Sequence, residues 1–131
     1  MAATYLDSSA IIKLAIREPE SLALQRYLRR RRPLVASALA RTEVLRALLP
    51  WGENAVASGR KVLTRLDLVK INNRVLDDAA SLLPVQVRSV DAIHLATAGL
   101  LGEDLGALIT YDARMAEAAK LSGYHVVAPG D

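Results

Sequence analysis

The sequence predicts an α/β fold, a mostly parallel sheet of about five strands wrapped by helices. Three observations predict it. Short apolar runs alternate along the whole chain with longer stretches whose apolar residues recur at helical spacing. No two apolar runs meet across an Asn-Gly or similar two-residue turn, so the pattern carries no hairpin signal. At 131 residues the chain is expected to form a single domain, 1–131, large enough to bury most of the surface its unfolded form exposes.

Residues 2–6 read as the first strand, ending abruptly on Asp7. Ser8 and Ser9 follow, and Ala10-Ile11-Ile12 opens a helix over about 9–17. Pro19 suits the first turn of a second helix, whose stripe is Leu24, Tyr27 and Leu28. That helix runs into four consecutive arginines, Arg29 to Arg32. Cations there complement the helix dipole, which is the favoured account; contact with RNA or an acidic partner is the other. Residues 33–36 form a short second strand. Ser37 is read as the cap of a third helix, reaching Leu49 and stopped by Pro50 and Gly52.

Glu43 lies inside that third helix, with Leu39, Ala40 and Ala47 about one turn away. A glutamate among apolar and small residues needs a partner, and Arg46 and a metal ion are the two candidates. A fourth helix spans 54–66, with Val56, Leu63 and Leu66 on its apolar side, and 68–71 is the third strand. Asn73 is read as the cap of a helix carrying Val75, Leu76, Ala79, Leu82 and Leu83, ended by Pro84. Ser89 is read as the cap of the next, to about residue 101, with Asp91 in its first turn and His94 one turn on. His94 reads as a packed helix residue rather than a catalytic base. Residues 107–110 are the fourth strand, followed by Tyr111 and Asp112. Asp112 suits the N-cap of a helix with Met115, Ala118 and Ala119, which Gly123 closes. Residues 124–127 are the fifth strand.

Composition narrows the chemistry. There is no cysteine, which excludes disulfides, zinc–thiolate sites and thiol nucleophiles, and a cytosolic location is expected. The N-terminus lacks a basic segment followed by an apolar one, so no signal peptide is expected, and no apolar run is long enough to span a bilayer. Basic residues number 17 against 14 acidic. If four acids gather at one site, the remaining surface is more basic still, which suits a polyanionic substrate.

The candidate site follows from where the acids fall. In an open α/β sheet, ligands sit outside the carboxyl ends of the strands. Asp7 and Asp112 both follow directly on apolar strands, and Asp91 opens a helix. Each has a structural explanation as a cap or first-turn acid. Together with Glu43 they point to one crevice, where like charges repel until a proton or a cation relieves them. An all-oxygen set selects hard ions such as Mg²⁺ or Mn²⁺, and with only two histidines a zinc site is not expected. Metal held by carboxylates activates water and offsets charge on a phosphate. Asp7 and Asp91 are assigned as direct ligands, Glu43 to orienting the nucleophile or binding through water, and Asp112 to completing the shell or holding a second ion. Ser9 is assigned to supporting a ligand carboxylate or a metal-bound water.

The same residues carry a resemblance. Tyr5-Leu6-Asp7-Ser8-Ser9, Arg41-Thr42-Glu43-Val44, Ser89 through Ala96 around Asp91, and Thr110-Tyr111-Asp112 occur in an order and spacing similar to PIN-domain ribonucleases of the VapC toxin branch. The resemblance implies a PIN-like three-layer sandwich forming one domain. It also implies a Mg²⁺- or Mn²⁺-dependent endoribonuclease leaving a 5′-phosphate and a 3′-hydroxyl, a toxin homodimer, and a VapB-type antitoxin that blocks the site. By position, Asp7, Glu43, Asp91 and Asp112 match the family's acidic quartet, and Ser9 and Thr110 its supporting hydroxyls. The antitoxin is expected to wrap apolar grooves near the first helices and to set a basic side chain near Asp7 and Asp91. Ile12, Leu14 and Ile16 outnumber what one helix face buries, which motivates a second contact there, with either the antitoxin or the toxin dimer. The alternative is a PIN-like module that binds RNA or protein without cutting.

Two other readings fail. A phosphoacceptor receiver domain needs an acidic pair after the first strand, an Asp after the third and a Lys after the fifth. Here Ser8 and Ser9 follow Asp7, Asn72 follows Ile71, and Pro129 follows Ala128. A phosphatase with Asp7 as nucleophile would usually place a second Asp where Ser9 stands.

Overall fold

The computed structural model describes residues 2–131. Five strands form one sheet, all parallel, in the order β3-β2-β1-β4-β5. They are β1 (Ala3–Leu6), β2 (Leu34–Ser37), β3 (Asp67–Val69), β4 (Leu105–Ile109) and β5 (Val126–Val127). The helices are α1 (Ser8–Ala15), α2 (Ser21–Leu28), α3 (Ala40–Leu48), α4 (Glu53–Leu63), α5 (Asn73–Ala80), α6 (Ser89–Gly99) and α7 (Ala113–Leu121).

The sheet separates two cores, and strand alternation divides the side chains between them. Leu6, Leu34, Ala36, Ala107 and Ile109 face one core, with Ile11, Leu24, Val44, Leu48 and Val62 from α1 to α4. Ala3, Tyr5, Val35 and Leu108 face the other, with Leu95 and Ala98 of α6 and Met115, Ala118 and Ala119 of α7. This is the expected three-layer sandwich. The central strands β1 and β2 are buried along their whole length, as a parallel sheet covered on both faces requires.

One glycine sets the approach of two helices. A Cβ on Gly59 of α4 would stand 2.5 Å from Leu48 Cδ1 of α3. Leu48 is fully buried, so the missing side chain is what lets α3 and α4 close against the first core.

Several predicted boundaries shift, each for a local reason. Pro19 lies in the turn before α2, where the Ser21 hydroxyl accepts from the Glu18 N–H, and the helix begins at Ser21. The Arg29–Arg32 run falls beyond the end of α2. Arg31 lies over the Tyr27 ring at 3.9 Å and donates to the Tyr27 carbonyl. Ser37 belongs to β2, and its hydroxyl accepts from the Leu39 N–H in the turn before α3. Asn72, not Asn73, caps α5, accepting from the Val75 N–H. That helix ends at Ala80, ahead of Pro84. Ser89 is the first residue of α6, and Arg88 occupies its cap position without a side-chain bond.

The consequence for the site is topological. β1 and β4 are neighbours at the centre of the sheet, with Leu6 opposite Ile109. The residues after them, Asp7 and Thr110, therefore emerge side by side at the carboxyl edge. There the strand order also reverses direction on either side of β1, which is where a doubly wound sheet opens a crevice.

Candidate active site

Asp7 is both a cap and the centre of the site. Its Oδ1 accepts from the Ala10 N–H at 3.1 Å, satisfying the first turn of α1. The same oxygen accepts from the Ser9 hydroxyl at 2.6 Å, and Oδ2 accepts from the Thr110 hydroxyl at 2.5 Å. Ser9 Oγ accepts from the Tyr111 N–H, and Thr110 Oγ1 from the Asp112 N–H. The two hydroxyls therefore join β4 to α1 and hold a carboxylate that is only 5% exposed. Burial pushes the Asp7 carboxyl above the ordinary carboxylate range, while the bonds from Ser9, Thr110 and Ala10 oppose that rise.

Glu43 reaches the site from α3. Its Oε1 lies 2.6 Å from His94 Nε2 and accepts from the Ser8 hydroxyl at 2.7 Å. Burial raises the Glu43 carboxyl, but these bonds outweigh it and leave the group below its ordinary value. Arg46, the sequence-level candidate for its partner, is not that partner. The partner is His94, fully buried on α6 and 51 residues away in sequence. His94 is packed, as expected, but it is also hydrogen-bonded into the site. Its i+3 spacing from Asp91 was the available signal, since that spacing puts both on one side of α6.

Asp91 stands half-buried in the first turn of α6. Burial, then the nearby charge of Asp112, then that of Glu43 push its carboxyl up, against His94 and Arg88. Asp112 is exposed at the rim, where its Oδ1 caps α7 through the Arg114 and Met115 N–H groups. The four acids thus converge on one edge of the sheet, two held firmly by hydroxyls or imidazole and two less constrained. A cleft of about 420 Å³ adjoins Asp91, lined by Arg88, Arg114, Val87, Ala118 and Leu121 among others.

The donors suit a hard divalent cation. All are carboxylate oxygens, and the raised values at Asp7 and Asp91 express an electrostatic cost that a cation relieves. Among the described residues no three acid or histidine side chains already stand at ion-gripping distance. Asp7 and Glu43 are fixed by their hydrogen bonds. Among the described residues Asp91 accepts no side-chain hydrogen bond, and the cap that Asp112 makes on α7 uses Oδ1.

This electrostatic strain gives a pH prediction. In the metal-free protein the folded state binds protons at Asp7 and Asp91 more tightly than the unfolded chain. Stability from these groups is therefore full below the ordinary value of 3.8 and is lost as pH rises through the raised folded values. Glu43 acts oppositely: its contribution is present above the ordinary 4.5 and is lost as pH falls through its lowered value. Asp7→Asn keeps a good N-cap and removes one buried charge. Melting followed in chelator from about pH 4 to 8 should show the parent losing stability relative to Asp7→Asn. A parent that gains on the variant over that window means the hydrogen bonds to the Asp7 carboxylate outweigh its burial.

A PIN domain profile matches residues 4–121 of the chain, and the chain belongs to that family. It is 64% identical over 129 residues to Ribonuclease VapC46 of Mycobacterium tuberculosis, covering 98% of this chain and 99% of that one. It is 44% identical over 133 residues to Ribonuclease VapC35 of the same species, covering 96% of each. These relatives put it among the VapC ribonucleases. Two solved structures share the fold. A toxin–antitoxin complex from Klebsiella pneumoniae matches with a TM-score of 0.74 at 23% identity, covering 97% of this chain and 98% of that one. M. tuberculosis VapC20, a Sarcin-Ricin loop cleaving toxin, matches with a TM-score of 0.74 at 17% identity, covering 97% and 100%.

Proposed function

We propose that this protein is the toxin of a type II toxin–antitoxin pair, a Mg²⁺- or Mn²⁺-dependent endoribonuclease that hydrolyses RNA phosphodiester bonds. The observation that carries the reading is the convergence of Asp7, Glu43, Asp91 and Asp112 on the carboxyl edge of the sheet. Membership of the VapC ribonucleases supports the substrate class.

Asp7, Asp91 and Asp112 would hold the ion, and Glu43 would bind it as well, through water. A divalent ion bound there supplies Lewis acidity, lowering the pKa of water and offsetting the charge that develops on the phosphate. The remaining work belongs to the chain. Ser9 and Thr110 fix the Asp7 carboxylate in one orientation, as groups supporting a ligand do. Glu43 orients the attacking water toward phosphorus. Arg88 and Arg114, flanking the cleft beside Asp91, hold RNA phosphates on either side of the cut. The expected products carry a 5′-phosphate and a 3′-hydroxyl.

The partner is a VapB-type antitoxin. A groove of about 710 Å³ beside α1 and α2, lined by Leu14, Ile16 and Leu22 but also by Arg17, Glu18 and Gln25, supports docking of an amphipathic antitoxin segment there. Leu14 and Ile16 are only half-buried and Leu22 is 50% exposed. A basic antitoxin side chain near Asp7 and Asp91 replaces the charge of the cation. We further propose a toxin homodimer and a cytosolic location, where RNA and antitoxin are made. Among the described residues no helix is long and apolar enough to cross a membrane.

The test is incubation of the purified protein with total RNA, with and without Mg²⁺ or Mn²⁺, followed by mapping of the cut ends. Metal-dependent cuts with 5′-phosphate ends support the reading. Binding of RNA without cutting under every metal condition supports the non-catalytic alternative instead. Arg114→Ala should raise KM several-fold and flatten the salt dependence of binding, with kcat little changed. A variant whose kcat falls while KM holds places Arg114 in the chemical step rather than in RNA binding.

A further inference from the structure

Behind Glu43 runs a hydrogen-bond chain that the proposed chemistry does not use. Tyr5, at the centre of β1, is fully buried, and His94 is 2% exposed. The Tyr5 hydroxyl lies 2.7 Å from His94 Nδ1. The two rings meet edge to face, 76° apart with centroids separated by 6.1 Å. On the far side of the imidazole, Nε2 lies 2.6 Å from Glu43 Oε1. Residues 5, 43 and 94 thus come from three elements, β1, α3 and α6, and meet across the carboxyl edge.

Proton counting orients this chain. The Tyr5–Nδ1 contact runs in either direction according to the ring's tautomer; with the single phenol proton given to Nδ1, the chain points toward Glu43. Nδ1 then accepts, and Nε2 carries the ring proton. Nε2–H donates to Glu43 Oε1, where the Ser8 hydroxyl also donates. Two donors converge on one oxygen of the carboxylate, and Oε2 is the oxygen left over.

We propose that Tyr5 and His94 form a positioning pair that fixes the imidazole as its Nε2–H tautomer and so sets which Glu43 oxygen is offered to the site. His94 is then a positioning residue and touches neither RNA nor the reacting atoms. The inference rests on the placement of Glu43 in the metal site proposed above. A ring nitrogen held by a second group fixes its tautomer and orients what the other nitrogen binds.

The test uses the purified full chain and Mn²⁺ alone as the probe, read by electron paramagnetic resonance of the free ion, together with ¹⁵N spectra of the histidine rings. The chain has only two histidines, so His125→Gln assigns the signals. In metal-free parent protein the His94 ring should show the neutral Nε2–H pattern. Tyr5→Phe removes one oxygen and keeps the packing, and it should abolish that preference and weaken Mn²⁺ binding several-fold. His94→Leu should weaken Mn²⁺ binding by about tenfold or more, the usual loss for a group supporting a metal ligand. His94→Gln, whose amide nitrogen can stand near Nε2, should recover most of the loss. A purely structural role predicts no such rescue at equal melting temperature.

Glu43→Gln separates the two claims. If it weakens Mn²⁺ binding and His94→Leu adds nothing on top, the pair acts through Glu43 as proposed. If Glu43→Gln weakens binding while His94→Leu alone matches the parent, the positioning pair is overturned and the metal site stands. If Glu43→Gln binds Mn²⁺ as the parent does, the placement of Glu43 falls, and this proposal with it. A parent spectrum showing the Nδ1–H tautomer overturns the proposal whatever the affinities.

Discussion

Replacing Asp7 and Asp91 together by Asn should lower RNA cleavage by roughly a thousandfold or more, while the protein still folds. A tenfold change in rate corresponds to about 1.4 kcal/mol, and removing an ion that supplies several kcal/mol of transition-state stabilisation gives a loss of that order. The same variant should lose the rise in melting temperature that Mn²⁺ produces in the parent. An ion bound only by the folded state, at about one hundred times its Kd, adds about 2.7 kcal/mol. For a chain of 131 residues this is roughly 10 °C. The metal-free variant should melt no lower than the parent, because Asn can cap α1 as Asp does, the buried charge of Asp7 is gone, and so is the repulsion Asp91 feels from Asp112 and Glu43. Three measurements decide it: cleavage, the metal-induced shift, and melting in chelator. A variant that keeps the metal-induced shift puts the ion elsewhere. A variant that loses several kcal/mol in chelator makes Asp7 a structural cap first.

The second large effect is on stability. Leu108→Ala should destabilise the protein by about 2–5 kcal/mol, lowering the melting temperature by roughly 10 °C. Leu108 is fully buried on β4 and belongs to the core beneath α6 and α7. Its strand is paired on both sides, by β1 and β5, so the backbone cannot easily collapse into the cavity. Against a typical total of about 5–15 kcal/mol, that loss is a large fraction. Leu121→Ala, the same chemical change at a position 67% exposed, should stay within about 0.5 kcal/mol. Denaturant midpoints of the two variants against the parent make the comparison. Equal effects at the two positions mean that Leu121 is covered in solution, by a second copy of the chain or another partner.

Much of the site was legible because its residues obey local rules. Asp7 directly follows an apolar strand, Asp112 lies two residues past Thr110, the predicted end of another, and each caps a helix; these signals are short-range. Parallel topology then sends both to one edge, so adjacency in the crevice followed from chain order and βα alternation. At the level of sequence the supporting role of Ser9 followed from the chemistry of ligand carboxylates, and that of Thr110 from resemblance alone. Their 2.6 and 2.5 Å bonds to the two oxygens of Asp7 give it a physical basis. Boundaries slipped by one or a few residues where two residues could each cap, as at Asn72 and Asn73, since composition does not choose between neighbours.

What the sequence determined by itself was the kind of elements, their order, and which carboxylates end up near the carboxyl edge. Period-2 and period-3.6 patterns are properties of a segment and survive in any context. What only the tertiary structure decided was who meets whom across elements. Glu43 had an apparent partner three residues away in Arg46, on its own helix. Its actual partner, His94, is 51 residues distant, and the Tyr5 hydroxyl that orients His94 is a further element away, 89 residues from it in sequence. A helical pattern tells which face turns inward, but not which side chain of another helix stands opposite. That depends on the packing of α3 and α6 about the end of β1, which is settled by the summed burial of both cores and is written in no local stretch of the chain.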